Sequence, residues 1–390
     1  MSTVLRAEAE LLLLCLHAEP GRGGADRIKG LLSGKIDWEA LWLLLEHHGV
    51  APLFYSGLNS TFPTMAPAEV LSRLRESYIN NAARSLFLTG KLLLLMEQFQ
   101  ARKIPAIPLK GPVLAECLYG NAGLRQFADL DILVAQRDLA AAMQLLRDEG
   151  YSLSSELAWA SEETIIDLNF ELVFTRKCGT HVDLHWEIAF SDYPFRFDTQ
   201  ILWSSLDSVR IGGREVPTLS AECQLLFLCV HGAKHLWTRL QWICDLARLL
   251  QSVPDMNWTV VAEHAARFGC EHVVHLGLCL AHNILQAPIP PAVWQQVQAD
   301  RVIPPLVVQI QEGLFRVPPV TPESLELVVF NAKLTKSRWR KIRHFAALLK
   351  APTEADAKLL RLPRKLFFLY YPFRLWRLLI KYGSRLLHRR

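Results

Sequence analysis

The stretch from Asp129 to Val134 constrains the fold of this chain more than any other. It places two carboxylates, Asp129 and Asp131, one residue apart and follows them with an apolar run. In a β-strand, residues i and i+2 point to the same side, so this pattern predicts a core strand with two aligned carboxylates at its start. A hard divalent cation such as Mg²⁺ relieves the repulsion between such carboxylates, because it prefers oxygen ligands. A capped turn with a solvated acid pair is the structural alternative.

The length and composition are those of a globular protein of two or three domains. The 390 residues are 51% hydrophobic and 21% charged, which is sufficient for a substantial core. The eight cysteines include no C-x-x-C pair, which favours free thiols in a reducing cytosol over a zinc ribbon or a thioredoxin-type site. The apolar run 11–16 is too short to cross a bilayer and predicts a core helix rather than a signal peptide. A cytoplasmic protein is therefore expected.

Helical periodicity dominates both ends of the chain. Apolar residues at three- and four-residue spacings predict helices at 7–17, 38–48, 68–78, 82–100 and 221–285, with one long element over 222–250. Short elements alternate between these regions, and they are predicted as a strand at 104–109, a helix at 113–119, the acidic strand, a helix at 137–149 and a hairpin of 169–175 with 181–188. This alternation indicates an α/β unit with a mixed sheet.

Four parts are predicted along the chain: an N-terminal helical region, an α/β domain, a helical lobe and a basic amphipathic tail, at 1–100, 101–215, 216–330 and 331–390. The tail differs from the rest in charge. Residues 333–390 contain seventeen Lys or Arg and two acids, whereas the other 332 residues contain 26 basic and 36 acidic side chains. A mildly acidic body thus carries a strongly basic tail.

The predicted hairpin supplies a third acid. Polar and apolar residues alternate over 181–186, so Asp183 and His185 share one face of that strand. If the strand lies beside the acidic strand, three carboxylates converge, as a two-metal site acting on phosphates requires. The alternatives are a surface acid for Asp183 and, for His185, packing on Trp186 or a hydrogen bond to a carboxylate.

A strand-to-helix turn at Lys110 and Gly111 is a candidate phosphate site. Glycine lets the backbone approach a ligand closely, and the N-terminus of the following helix favours phosphate. Lys110 and Arg125 would add positive charge. The alternatives are a surface lysine, and an Arg125 that pairs with Asp129 or Asp131. The P-loop pattern G-x-x-x-x-G-K-[ST] is absent from the chain.

A second candidate contact region lies around His231 and His235, which share a helix face. Gly232 replaces the catalytic glutamate of H-E-x-x-H, which argues against metalloprotease chemistry. His231, Lys234 and His235 are therefore candidate ligand contacts, and structural packing is the alternative. Asp245 lies close to three helical turns beyond His235 and would orient a histidine, act as a base or form a buried ion pair.

Four further histidines invite a metal interpretation: His264, His272, His275 and His282. No acid or cysteine in the sequence pattern completes a compact set with them. A metal site at these histidines is therefore not predicted.

These motifs together resemble a group of bacterial uncharacterised nucleotidyltransferases within the DNA polymerase β-like nucleotidyltransferase superfamily. The resemblance covers roughly residues 5–310, and its motifs are at 109–111, 118–120, Arg125, 129–134, 182–186 and 231–237. It implies an α+β fold, in which a polymerase β-like mixed sheet with helices is flanked by N-terminal and C-terminal helical regions. It also implies Mg²⁺-dependent transfer of a nucleoside monophosphate from an NTP to an acceptor, with ATP the favoured NTP and Mn²⁺ an alternative metal.

The resemblance assigns the superfamily's three acidic metal ligands to Asp129, Asp131 and Asp183. The superfamily usually has Gly-Ser at the start of its phosphate-binding helix, where this chain has Lys110-Gly111. The site expected from the resemblance and the motifs is therefore catalytic Asp129, Asp131 and Asp183, with substrate contacts from Lys110, Gly111, Arg125, His185, Lys234 and His235.

The expected acceptor is a hydroxyl of a small molecule, protein or peptide, because the acidic body would repel a nucleic acid. A catalytically silent scaffold that docks through the tail is the competing hypothesis. For residues 333–390, contact with an anionic membrane surface or a protein partner is favoured, which would make the protein peripheral at a membrane. Packing on the body comes next, and nucleic-acid binding is the least favoured.

Overall fold

Helices build most of the structure and surround one mixed β-sheet. A computed structural model describes residues 6–17, 21–154, 166, 169–189, 193–195, 198–316, 324–350, 359–360, 366, 369–374, 376–377 and 380. Much of the basic tail beyond residue 350 lies outside this range. No helix in the described part of the chain is long and apolar enough to cross a membrane.

The N-terminal part is helical, as predicted. Its helices are α1 (Ala7–Leu16), α2 (Gly21–Leu32), α3 (Trp38–His48), α4 (Ala51–Thr61) and α5 (Ala68–Ala101). The segments predicted at 68–78 and 82–100 are one helix of 34 residues. Asn80 and Asn81 interrupt the apolar pattern there, but polar side chains on the outer face of a helix do not break its backbone. The side-chain amide of Asn81 donates a hydrogen bond to the carbonyl of Gly123, 2.8 Å away.

The sheet contains five strands in the order β1-β2-β5-β4-β3. These strands are β1 (Ala106–Pro108), β2 (Asp129–Val134), β3 (Ser152–Leu153), β4 (Glu171–Thr175) and β5 (His181–His185). β2 and β5 run parallel, and the other neighbouring pairs are antiparallel. The predicted mixed sheet is confirmed. Helix α6 (Pro112–Tyr119) follows β1, and α7 (Leu139–Asp148) follows β2 after a short 3₁₀ turn.

The two faces of β2 and β5 differ in chemistry. One face is apolar and packs against α5 and α7 in a buried cluster that includes Leu130, Ile132, Val134, Val182 and Leu184. The opposite face carries Asp131 and Asp183. Because side chains alternate along a strand, a shift of one residue in either strand would bury its acids and expose its core residues, so this register is strongly specified.

The second half of the chain begins with α8 (Thr199–Ser204) and a two-stranded sheet of β6 (Leu206–Ile211) and β7 (Arg214–Leu219). The helices that follow are α9 (Ala221–Lys234), α10 (Leu240–Ser252), α11 (Trp258–Phe268), α12 (Glu271–Leu285), α13 (Pro291–Ala299), α14 (Ile303–Leu314), α15 (Ser324–Lys333) and α16 (Arg338–Lys350).

The prediction of one helical element over 222–250 is wrong, because the chain turns at residues 235–239, between α9 and α10. Leu236 and Trp237 have positive φ angles of 53° and 51°. The Trp237 side chain is fully buried over Gly232, where an added Cβ would lie 2.6 Å from the indole ring. Burial of a large aromatic side chain outweighs the strain of two left-handed residues.

A large apolar cluster joins the N-terminal helices to the C-terminal ones. Leu11 of α1 and Phe54 of α4 belong to the same buried cluster as Phe227 of α9, Leu246 of α10 and Leu278 of α12. This shared core fixes α9 and α10 opposite the acidic face of the sheet. The candidate site lies in the space between them.

Candidate active site

Asp131 and Asp183 meet across two parallel strands. Asp131 of β2 is the direct register partner of Asp183 of β5. Ligand atoms of Asp131, Asp183 and His185 all lie within 4.8 Å of one another. Asp129 is two residues before Asp131 on the same face, but it does not belong to this group. The structure thus brings together two of the three predicted carboxylates and the predicted histidine.

Asp131 is the most buried member of the group and the most strongly paired. Its Oδ1 lies 2.8 Å from Lys110 Nζ and 3.1 Å from His185 Nε2. Its Oδ2 is buried and has no hydrogen-bond partner among the described residues. Burial opposes ionisation of Asp131, but Lys110 and His185 outweigh this effect and hold the pKa of the carboxyl well below its usual range. Asp131 is therefore a carboxylate with one free, buried oxygen.

The neighbouring acids hold their protons more tightly. Burial, together with the charges of Asp131 and Asp129, raises the pKa of Asp183 to about 7. Burial and the Asp131 carboxylate likewise raise the pKa of Asp129. Three carboxyl groups in this space oppose one another's ionisation, and a bound cation would relieve that repulsion.

Lys110 and Gly111 link β1 to α6 directly beside the acids. Gly111 has a φ of 64°, and a Cβ there would lie 3.5 Å from the carbonyl oxygen of Asp129 and 3.6 Å from the Phe127 ring. A glycine therefore permits this tight turn. Burial disfavours the Lys110 ammonium, but the carboxylates of Asp131 and Asp129 outweigh burial and raise its pKa. Lys110 is a largely buried cation and not a free surface lysine.

Arg125 has a different partner from those considered above. Its guanidinium donates two hydrogen bonds of 2.9 Å to the carboxylate of Asp245, through Nε to Oδ1 and Nη2 to Oδ2. The hydroxyl of Tyr119 donates to Asp245 Oδ1 at 2.8 Å. The buried ion pair considered for Asp245 is thus present, and it joins the loop before β2 to α10. Contact between Arg125 and phosphate remains a prediction.

Lys234 approaches the acids from the helical side. Its Nζ lies 4.0 Å from the centre of the Phe170 ring. Burial lowers the pKa of Lys234, and the nearby Glu171 carboxylate opposes this shift. Oε2 of Glu171 lies 3.1 Å from His185 Nδ1. Sequence reasoning missed Glu171, although the predicted hairpin loop of five residues places it opposite His185.

His231 and His235 form an aromatic cluster with Trp242. The ring centres are 4.8 Å apart between the two histidines, and 5.4 Å and 5.2 Å from each to Trp242. Burial and the nearby cations Lys234 and Lys110 lower the pKa of His235 to about 3. Burial, with Lys110, also lowers the pKa of His231. Both rings are therefore neutral at physiological pH and pack at the edge of the site.

A second group of metal-ligand type lies outside this site. Nδ1 of His272 and Nδ1 of His275 lie 2.5 Å and 2.7 Å from Oδ2 of Asp300. The sequence pattern did not reveal Asp300 as the acid of this group. It follows His275 by 25 residues and lies in the connection between α13 and α14. The short distances are those of hydrogen bonds that hold α12 to this connection.

The fold and the paired carboxylates are those expected of a nucleotidyltransferase. The chain belongs to the family described as uncharacterised nucleotidyltransferase, whose model matches residues 34–286. Membership confirms the predicted family and supports nucleotidyl transfer, and hence an enzyme, in general terms. The matched region contains every residue of the candidate site.

Two solved structures show weak similarity to the chain. One is the lincosamide antibiotic adenylyltransferase LnuA with lincomycin bound, at 19% identity and a TM-score of 0.29, covering 41% of this chain and 94% of that chain. The other is an antigenic nucleotidyltransferase-like protein from Paracoccidioides brasiliensis, at 17% identity and a TM-score of 0.34, covering 55% of this chain and 93% of that chain. No curated protein matches the chain.

The donor set fits a divalent metal. Nucleotidyltransferases generally use one, and Asp131 offers a buried oxygen that has no partner among the described residues. Asp183 and His185 place further ligand atoms within 4.8 Å of a carboxylate oxygen of Asp131. Carboxylate oxygens suit Mg²⁺, and the added imidazole also suits Mn²⁺.

Proposed function

We propose that the protein transfers a nucleoside monophosphate from an NTP to a hydroxyl acceptor at the carboxylates of Asp129, Asp131 and Asp183. One observation carries the proposal. The parallel register of β2 and β5 sets Asp131 opposite Asp183, with the Asp131 Oδ2 buried and free of hydrogen bonds in the described chain. A carboxylate oxygen is costly to bury in that state unless a cation occupies the site.

The three carboxylates would hold Mg²⁺, with Mn²⁺ as the alternative. When bound, the metal supplies charge neutralisation for the triphosphate and lowers the pKa of the attacking hydroxyl. His185 holds the Asp131 carboxylate in place through the 3.1 Å contact to Oδ1. It thereby leaves the other oxygen of Asp131 directed at the site.

The reaction balances without further reactants. The acceptor oxygen forms a bond to the α-phosphorus of the NTP, and the bond between the α-phosphorus and the bridging oxygen breaks to release pyrophosphate. Asp183 takes the hydroxyl proton on its carboxylate oxygen. Burial and the charges of Asp131 and Asp129 raise the pKa of Asp183 to about 7 in the metal-free protein, and a bound cation would lower this pKa and favour the ionised carboxylate.

Positive charge for the phosphates would come from both sides of the cleft. Lys110 and the backbone at Gly111 lie at the N-terminus of α6, where phosphate is favoured. Lys234 contributes from α9, and the neutral His235 beside it offers a ring surface for the nucleotide base or the acceptor. Arg125 acts on the site through Asp245, by fixing the sheet against α10.

The acceptor is proposed to be a hydroxyl of a small molecule, protein or peptide, and ATP is the favoured donor. Residues 1–332 contain 36 acidic and 26 basic side chains, so the body repels a polyanionic acceptor. A catalytically silent scaffold of the same fold is the competing hypothesis.

The two hypotheses differ in their requirement for metal. Calorimetric titration with each of the four NTPs, in Mg²⁺ and again in EDTA, tests nucleotide binding without knowledge of the acceptor. We expect binding in Mg²⁺ that EDTA abolishes. Absence of binding to all four nucleotides in Mg²⁺ would contradict the proposed enzyme and favour the scaffold.

A further inference from the structure

Helix α16 (Arg338–Lys350) is attached to the body through polar contacts. Arg340 Nη1 donates to the carbonyl of Phe268 at 2.6 Å, and just before the helix Lys336 Nζ donates to Glu271 Oε1 at 3.1 Å. His344 is buried. The polar side chains of Arg340 and His344 lie on the side of α16 that faces the body, where a surface helix ordinarily carries apolar ones.

The close approach of Arg340 depends on a glycine. Gly269 ends α11 in the left-handed conformation with a φ of 70°. A Cβ at this position would overlap with Arg340 Nη1, so a larger residue would displace the guanidinium. The contact between α16 and the body therefore depends both on Arg340 and on the absence of a side chain at Gly269.

The outer side of α16 is apolar. Trp339 is 71% exposed, Ile342 58% and Phe345 41%. A spacing of three residues places their side chains on one stripe of the helix. Such a stripe facing outward, on a helix held by its polar side, has no covering element within the described chain.

The same composition continues beyond α16. Among the residues described there, six more large apolar side chains are exposed: Leu359, Leu366, Leu369, Tyr371, Trp376 and Ile380. Nine of the seventeen exposed large apolar residues within the described part of the chain thus fall in residues 333–390. Exposure of this kind is concentrated in the tail and is not a general property of the surface.

The charge of the tail selects the type of partner. Residues 333–350 contain seven Lys or Arg and no acid, and residues 333–390 contain seventeen against two acids. A nucleic-acid duplex, whose bases are already stacked, would use the cations but leave the apolar stripe in water. An apolar protein groove would use the stripe but leave most of the cations without a partner.

We propose that α16 binds an anionic lipid surface, with Trp339, Ile342 and Phe345 entering the headgroup–acyl boundary and the flanking cations contacting lipid phosphates. Aromatic and aliphatic side chains beside Lys and Arg are what an interfacial helix requires. The polar contacts of Arg340 and Lys336 keep the apolar stripe directed outward. The catalytic cleft takes no part in this contact.

Vesicle flotation with the full-length protein tests the proposal. The probes are vesicles of phosphatidylcholine alone and vesicles in which phosphatidylglycerol is about a third of the lipid. We expect binding to the anionic vesicles only, weakened but not abolished between about 0.05 M and about 0.5 M NaCl, because salt screens the charges and not the apolar contact.

A matched pair of variants separates the stripe from general hydrophobicity. Trp339→Ser with Ile342→Ser should lower the partition coefficient for anionic vesicles at least about tenfold. The control, Leu86→Ser with Leu94→Ser, alters α5 residues that are 67% and 52% exposed and should leave vesicle binding unchanged. Circular dichroism confirms folding of both variants, whose altered side chains are all exposed.

Three results would overturn the proposal. These are absence of binding to anionic vesicles at low salt, an equal loss of binding in the stripe and control variants, and tight binding to a single-stranded oligonucleotide with no binding to vesicles. The last result would assign the tail to nucleic acid.

Discussion

At the scale of single residues, the central feature is the unequal use of the two Asp131 oxygens. Oδ1 contacts the side chains of Lys110 and His185, whereas Oδ2 has no hydrogen-bond partner among the described residues. The neighbouring Asp183 has a pKa raised to about 7 by burial and by the other acids. In the metal-free protein one acid is thus held ionised, while the other changes its protonation near neutral pH.

Lys234 provides a test of the opposite side of the cleft. Lys234→Ala should weaken MgATP binding by roughly ten- to a hundredfold, the effect of losing one charged hydrogen bond. Stability should change little, because burial already disfavours the ammonium and lowers its pKa. Calorimetry measures the affinity.

Lys91→Ala is the matched control for Lys234. Its Nζ lies 5.4 Å from the ring of Phe87, so this variant also removes a lysine beside a phenylalanine, but one outside the site. Equal weakening of MgATP binding by both variants would contradict the assignment of Lys234.

His48 is expected to make folding stability depend on pH. Its Nε2 donates to the carbonyl of Leu314 at 2.8 Å, and its Nδ1 accepts from the amide of Leu240 at 3.3 Å. Burial and the neighbouring His47 lower the pKa of His48 to about 3. Between pH 6.5 and pH 3 the unfolded chain therefore binds a proton that the folded chain does not. Stability is lost as the pH falls through this window, by up to ~1.4 kcal/mol per pH unit.

The measurement is urea unfolding at several pH values for the wild type and for His48→Gln, which does not titrate. Below pH 6.5 the free energy of unfolding of the variant should fall less steeply with decreasing pH. The difference in slope should correspond to the uptake of up to about one proton on unfolding. An identical pH dependence in both proteins would show that His48 is protonated without cost in the folded state.

At the scale of elements, the Arg125–Asp245 pair is a buried polar connection between the loop before β2 and α10. Side-chain exposures of 5% and 0% mean that neither charge is solvated. A buried ion pair is weak evidence for net stability, but removal of one partner leaves an uncompensated charge. The pair therefore specifies how the two elements dock, and with them how Lys234 faces Asp131.

Removal of Asp245 should be strongly destabilising. Asp245→Ala should lower the free energy of unfolding by about 3–5 kcal/mol, because Arg125 is then buried without a partner. The double variant Arg125→Met with Asp245→Leu should recover most of this loss. Urea denaturation measures both.

The exposed pair of Arg210 and Glu215 is the control for the buried pair. Glu215→Ala should leave the unfolding midpoint unchanged, since an exposed ion pair contributes little. A small effect of Asp245→Ala, similar to that of Glu215→Ala, would show that Arg125 reaches water and that the pair does not fix the docking.

At the scale of the whole molecule, local pattern explains the sheet and long-range packing explains the rest. The alternation around Asp131 and Asp183 predicted the two strands and the face on which each acid lies, because period-two patterning is a local property. The turn between α9 and α10 was missed, since it depends on the packing of Trp237 over Gly232. Asp245 and Asp300 could be paired with Arg125 and His275 only once the chain had folded, because the separations are 120 and 25 residues.

The hairpin of β6 and β7 was not predicted, although the sequence contains a local turn signal for it. Gly212 and Gly213 form a two-residue turn, both with positive φ, between short β-rich segments. Such a dipeptide favours the turn types that match the twist of paired strands. This part of the fold was therefore predictable, unlike the packing of the helical side.

The central claim is that Asp131 and Asp183 hold a divalent metal for nucleotide transfer, and Mn²⁺ binding tests it most directly. Electron paramagnetic resonance reports free Mn²⁺ during titration of the protein in the absence of ATP, which would itself bind Mn²⁺. The account predicts saturable Mn²⁺ binding by the wild type and by Asp148→Asn, whose carboxylate pairs with Arg102 on the surface. It predicts a loss of affinity of at least about a hundredfold in Asp131→Asn. Equal Mn²⁺ binding by the wild type and Asp131→Asn, or no binding by the wild type, would contradict the account.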